Sequence, residues 1–320
     1  VGKTSIEWTD RTWNPTRGCS RVSEGCRNCY AERIAARGLL LSPVSLQGYA
    51  SFTNTGPKWN GRVELIKSKL TEPLHWRKPQ RIFVNSMSDL FHEMLSDGAI
   101  DRVFAVMALC PQHTFQVLTK RPERMLGYCS SVTFERLREW MNRSVDGGEH
   151  RPGAYSLVSL AHANKRGTEF EFRRCPKPPL PNLWIGVSVE DQKTADERIP
   201  LLLQTPAAKR FVSYEPALGP VDFKGWLIDE AYKRFFGVAN IDWMIVGGES
   251  GPGARPFDIA WARNTIAQCN AAGVACFVKQ LGSYWARKRN ADPEQWTQVS
   301  GKGGDMSEWP EDLRVRDFPS

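Results

Sequence analysis

Long apolar runs are missing from this chain. Stretches such as Val103–Cys110 are too short to cross a bilayer as a helix, so no membrane role is expected. No charged-then-apolar leader opens the sequence, which sets the expectation of an unsecreted, cytoplasmic protein. A paired cysteine framework is missing too. Of eight cysteines, Cys110, Cys129, Cys175, Cys269 and Cys276 are scattered, as expected of reduced core or surface thiols rather than disulfides. The chain has no H-E-x-x-H, no G-x-S-x-G and no G-x-x-x-x-G-K-[ST]. That argues against zinc peptidases, serine hydrolases and P-loop NTPases. Internal repeats and low-complexity tracts are absent. Acidic residues are outnumbered, 35 against 43 Lys and Arg, for a net charge of +8 and a pI near 9.1. This modest excess favours an anionic partner: nucleic acid, a nucleotide or another phosphate compound.

Against these absences stands one dense motif. Cys19, Cys26 and Cys29 follow one another with C-x6-C-x2-C spacing. Three thiolates are one short of a closed tetrahedral site, and a cuboidal 4Fe-4S cluster with one iron free of protein is a natural occupant. Gly18 and Gly25 each precede a cysteine and would let the backbone wrap closely around a bulky inorganic core. Zinc is the rival. A structural site wants four ligands, and the chain has neither a second C-x2-C nor a suitably spaced histidine near the loop. A catalytic zinc with three thiolates and water stays open, as does a Cys26–Cys29 disulfide, which a reducing compartment disfavours.

Six β-like runs are expected at Arg81–Asn85, Phe115–Thr119, Leu183–Val189, Arg210–Tyr214, Asp242–Gly247 and Ala275–Lys279, with Ser5–Thr9 as a further candidate. Several are apolar at consecutive positions, as strands buried on both faces are. Helical patterns separate them: Asp97–Leu109 with Asp97 as N-cap, Thr194–Leu203 with a kink or end at Pro200, and a helix from Ala260 closed by Gly273. The alternation predicts an α/β fold with a parallel sheet, a complete or partial (β/α) barrel of the TIM type with loop insertions. A flat doubly wound sheet is the alternative, weakened by the lack of G-x-G-x-x-G after the early strands. The barrel is expected over residues 1–283, with insertions at 39–61 and 128–181. A tail, 284–320, carries Trp285, Trp296 and Trp309 and is expected to pack on it.

In a parallel barrel the chemistry sits at the C-terminal strand ends, and here those ends are polar. They present Ser86, Ser88 and Asp89; Lys120 and Arg121; Ser188 and Glu190; Glu215; Gly247, Gly248 and Glu249; and Lys279 with Gln280. Each single residue has a duller reading as a cap or turn former. Glu190, Glu215 and Glu249 resist it as a set, because three strands each deliver a carboxylate at one level. His92 and His113 are acid–base candidates, although a lone histidine is more often structural.

Several segments together resemble a known family: Ser5–Asp10 with Trp13-Asn14-Pro15, the cysteine run ending Cys29-Tyr30-Ala31-Glu32, Phe115–Arg124, Gly186–Glu190, Glu215-Pro216 and Val246–Pro256. The chain resembles the phage-associated three-cysteine-motif family, which is similar to radical S-adenosylmethionine (SAM) enzymes. The resemblance implies a barrel of the radical SAM type and a 4Fe-4S cluster on Cys19, Cys26 and Cys29. It implies reductive cleavage of SAM to start radical chemistry on an anionic substrate, nucleic acid or nucleotide. It also implies a reducing partner and a three-Cys-motif partner protein. By the same resemblance Ser86 and Ser88 meet the SAM amine, and Ser188, Glu190 and Glu215 its ribose or carboxylate. Gly247, Gly248 and Glu249 flank the adenine, and Lys120, Arg121 and Lys279 hold an anionic substrate or the SAM carboxylate. The long first cysteine gap, and Asn28 rather than an aromatic before Cys29, depart from the usual C-x3-C-x2-C pattern. The alternative is a non-catalytic iron–sulfur or zinc protein that binds nucleic acid in phage–host conflict.

Overall fold

Seven runs of the chain become strands of one sheet. They are β1 (Arg11–Trp13), β2 (Arg81–Val84), β3 (Thr114–Thr119), β4 (Leu183–Val189), β5 (Lys209–Tyr214), β6 (Trp243–Gly247) and β7 (Ala275–Gln280). The computed structural model describes residues 4–41, 48–142, 177–228, 239–291, 299 and 301–320. Strand order in the sheet follows chain order, β1 to β7. Pairing is parallel between β1 and β2, β2 and β3, β5 and β6, and β6 and β7. Parallel neighbours need long crossovers, and helices lie within them: α1 (Tyr30–Leu41), α2 (Asp97–Leu109), α3 (Pro122–Ser131), α4 (Phe134–Asn142), α5 (Gln192–Gln204) and α6 (Ile259–Ala272); α7 (Gly282–Asn290) follows β7.

The six expected strands form within a residue or so of the sequence reading. Ser5–Thr9 does not. The first strand starts later, at Arg11, where Asp10 accepts the Arg81 backbone N–H and fixes the register against β2. Asp97 is not the cap of α2; Ser96 is, accepting the Ala99 N–H at 3.3 Å. Pro200 neither ends nor starts α5, which continues to Gln204. Gly273 closes α6 in the left-handed conformation, φ 65°.

The chain divides into two compact units. The first comprises 1–20, 31–185 and 205–208; the second comprises 21–30, 186–204 and 209–320. The boundary runs through β4. In the first unit Trp13 and Phe115 pack at 5.8 Å between centroids, both fully buried. Asn182 donates to the backbone carbonyls of Met107, Cys110 and His113, and its own carbonyl accepts the Phe115 N–H of β3. In the second, all of β6 is buried, and Trp243 meets Phe211, Phe277 and Phe318. The last residues cover the outer edge of β7: Val278 N–H donates to Val315, Asp317 N–H donates to Cys276, and Arg316 bridges Phe277 antiparallel. An edge strand closed in this way offers no open ladder for aggregation.

Within the 39–61 stretch, Ala50–Thr53 and Gly56–Trp59 form an antiparallel hairpin. Most of 128–181, including Cys175, and Trp296 in the tail lie outside the described residues.

Candidate functional site

The cysteine loop begins in the first unit. β2 ends at Val84, and Asn85 turns the chain with φ 64°, a conformation asparagine tolerates better than most residues. Its N–H donates to Trp13 O, and its Oδ1 accepts the Thr16 N–H. The following Ser88 hydroxyl donates to Thr16 O at 2.9 Å, beside a Gly18–Ser88 bridge. The approach to Cys19 is thereby pinned to the end of β2. Gly18 has φ 86°, and a Cβ there would lie 1.8 Å from Arg62 O, so no other residue fits.

Arg121, at the end of β3, organises the next shell. Its guanidinium pairs with Asp89 (3.1 Å) and Glu93 (2.8 Å) and donates to the Ser20 carbonyl (3.2 Å) and hydroxyl (2.8 Å). It also lies 3.9 Å from Cys19 Sγ. Asp89 is saturated, accepting from Thr119 Oγ1, Phe91 N, Lys120 N and Arg121. Burial opposes the charge on Arg121, but Asp89, the Cys19 sulfur and Glu93 outweigh it and hold the group firmly protonated. Glu93, despite its own desolvation, is held down to about 2 by its backbone N–H and Arg121. His92 is lowered by burial first and by Arg121 second. Its Nδ1 accepts the Met94 N–H, so the ring proton sits on Nε2, which faces Ser20 Oγ at 2.9 Å.

The rest of the loop belongs to the second unit. Ser23 Oγ donates to Glu190 at 3.0 Å. Glu190 is fully buried and paired with Arg198, which also donates to Ser188 O at 2.7 Å. A Cβ on Gly25 would lie 2.3 Å from Glu190 Oε1. The tight backbone at Gly18 and Gly25 is therefore required by their protein neighbours, Arg62 and Glu190. Asn28 donates to Glu249 (2.9 Å) and Gly253 O (3.0 Å). Glu249 is clamped by Arg255 through its backbone N–H, Nε and NH2. Although burial opposes ionisation, Arg255 and Asn28 keep its carboxyl below the usual range. Glu215 binds Lys279 at 2.7 and 2.8 Å and Gln280 at 3.3 Å. Gly247 lies at a register shift against β7, and a Cβ on Gly248 would meet Leu281 O at 2.5 Å.

The three loop cysteines are partly exposed, whereas Cys110, Cys129, Cys269 and Cys276 are buried. Among the described residues no three His, Cys, Asp or Glu side chains are gathered as a metal-holding group. Of the residues expected to face a ligand, Glu190, Glu215 and Glu249 each hold a cation of the protein. Ser86 donates to Asn14, Ser88 to Thr16, and Arg121 is shared among carboxylates and the loop. His113 hydrogen-bonds Trp76 O and is structural. Sequence reasoning missed Ser20, Asn28, Glu93, Arg198 and Arg255. Only the two loop residues had a signal, their adjacency to Cys19 and Cys29. Asn85, at the polar end of β2, has its Nδ2 buried with no hydrogen-bond partner among the described residues.

A family model described as "Protein of unknown function (DUF5131)" matches residues 3–310. No curated protein and no solved structure matches the chain. No described helix is long and apolar enough to cross a membrane.

Proposed function

We propose, for a chain that belongs to the DUF5131 family, that Cys19, Cys26 and Cys29 hold a 4Fe-4S cluster and that the protein is a radical-SAM-like enzyme acting on an anionic substrate. The observation that carries this reading is the contrast among the thiols: those in the C-x6-C-x2-C loop are the partly exposed ones, and the other described cysteines are buried. The donor chemistry fits an iron–sulfur group, and the ligands are not pre-gathered, as is common where metal binding and local folding are coupled. When bound, such a cluster supplies one-electron reduction and an open iron site. The chain's own part is to hold the loop. Arg121 balances negative charge beside Cys19, Glu190 fixes Ser23, and Glu249 fixes Asn28. We read the seven-stranded sheet as the wall of a partial (β/α) barrel, because strand order follows chain order. A cytoplasmic setting, a reducing partner and a three-Cys-motif partner protein complete the proposal.

A second reading is favoured by one specific observation. Glu190, Glu215 and Glu249 are each already paired with Arg198, Arg255 or Lys279, which leaves them little capacity to bind SAM. The protein would then be a non-catalytic iron–sulfur or zinc nucleic-acid binder. Anaerobic reconstitution with iron and sulfide, followed by SAM and dithionite, separates the two. Release of 5′-deoxyadenosine is expected for the enzyme. An iron-loaded protein that releases none over hours belongs to the second reading, and one zinc with no iron in anaerobically purified protein overturns the iron–sulfur assignment.

A further inference from the structure

The second unit carries a groove of about 680 Å³ that none of the loop networks uses. Its walls come from the start of α6 and from α7, and they include Phe257, Trp261, Tyr284, Trp285, Lys288 and Arg289. The volume falls within the usual range of ligand sites, and the lining is unusual in two respects.

Three of the aromatics, Trp261, Tyr284 and Trp285, are not core residues, whereas Phe257 is buried. Trp13, Trp243 and Trp309 are buried, and each donates its indole N–H to a backbone carbonyl, of Lys69, Asp317 and Gly303 respectively. Trp261 and Trp285 are only partly buried, and no side-chain hydrogen bond is made by either among the described residues. Phe257 and Trp261 meet edge-to-face at 6.1 Å, and Tyr284 is exposed. Flat rings left partly open at a groove are a poor use of apolar surface unless something stacks on them.

The cations are not neutralised either. The last turn of α7 reads Arg287-Lys288-Arg289. Arg287 donates to Ala254 O. Lys288 has no ion-pair partner among the described residues. Arg289 lies 5.5 Å from the Trp285 ring centroid, and its Nε is buried without a hydrogen-bond partner. The acidic residue of the lining, Asp258, spends its carboxylate capping α6 at Ala260 N.

We infer that this groove binds single-stranded nucleic acid, with bases stacked on Trp285, Tyr284 and Trp261 and phosphates held by Lys288 and Arg289. Aromatic platforms beside unpaired cations are the recurring solution for a polyanion whose bases are exposed. The inference rests on the reading above only in taking the partner to be anionic, and it gives that partner a place on the protein.

The test is fluorescence anisotropy of labelled oligothymidylate and oligouridylate with the full chain. Binding is expected for one or both, weakening with salt by roughly 0.7 log units per phosphate contacted for each tenfold rise. Trp285→Ala should weaken it about tenfold or more, and Trp285→Phe should retain most of it, which separates loss of the ring from loss of fold. Lys288→Ala with Arg289→Ala should lower the salt slope. The double change Cys26→Ser and Cys29→Ser should leave binding intact, so failure of SAM cleavage and failure of this groove are read independently. No binding at low salt, equal binding by all groove variants, or equally effective competition by thymidine monophosphate or polyglutamate would overturn the inference.

Discussion

The two ends of the cysteine loop are held by opposite chemistry. Around Cys19, in the first unit, the organising group is a cation: Arg121 gathers Asp89, Glu93 and Ser20 and touches the sulfur itself. Around Cys26 and Cys29, in the second unit, the organising groups are carboxylates. Glu190 takes Ser23, Glu249 takes Asn28, and Arg198 and Arg255 stand behind them. Both arrangements bury an ion pair, and in the first the Arg121 guanidinium also lies 3.9 Å from the Cys19 sulfur. The first network is thus able to tune the sulfur, whereas the second positions the loop backbone through Ser23 and Asn28.

Removing the two arginines gives the largest effect and the sharpest contrast. Arg121→Ala strands Asp89, and Arg198→Ala strands Glu190, all with side chains less than a tenth exposed. Each should cost about 3–5 kcal/mol in chemical denaturation. Iron retained per folded molecule after reconstitution should fall much further for Arg121→Ala than for Arg198→Ala, because Arg198 reaches the loop only through Glu190 and Ser23. Arg121→Lys, which keeps charge but loses the fork, should fall between wild type and Arg121→Ala. Equal iron retention in the two alanine variants would erase the distinction.

The next effect is a difference in pH response. His92 is held neutral below its ordinary value of 6.5 by burial and by Arg121. Its contribution to stability is present above 6.5 and is lost as pH falls from there toward the lowered folded value. Protonation also ends its acceptance of the Met94 N–H. Glu93 and Glu249 are depressed carboxylates, whose contributions persist until pH drops below about 4.5, for Glu93 toward about 2. Hydrogen exchange between pH 7.5 and 5.5, corrected for intrinsic rates, should therefore loosen Met94 and Ser20 and spare Asn28 and Arg255. His92→Gln should flatten the response at the first end. Loosening at both ends alike would show that His92 is not its cause.

What could be read beforehand follows from how local each feature is. The strands were legible because runs such as Trp243–Gly247 are short and apolar on consecutive residues, as doubly covered strands are. Ser5–Thr9 misled because its alternation looks like a strand, while the register is set by Asp10 on Arg81, seventy-one residues away. The carboxylates at the strand ends were legible as a set; their partners were not. Arg198 is eight residues from Glu190 and Arg255 six from Glu249, spacings that no local rule marks. The sequence therefore offered acidic groups as free ligands, and the fold shows them occupied.

The smallest effect tests the same comparison with two hydroxyls. Ser23→Ala removes one hydrogen bond to Glu190, and Ser20→Ala removes the group shared by Arg121, His92 and Glu93. Arg121 keeps the Ser20 carbonyl in either case, so each change should cost only about 1 kcal/mol at neutral pH. Ser23 bonds Glu190 rather than an imidazole. Its penalty should stay level from pH 7.5 to 5.5 in urea denaturation. Ser20 faces the imidazole, and once His92 is charged the missing acceptor matters more, so its penalty should grow over the same interval. A Ser23→Ala penalty that rises on acidification as steeply as that of Ser20→Ala would mean that both ends answer to one titrating group and that the opposition between them is wrong.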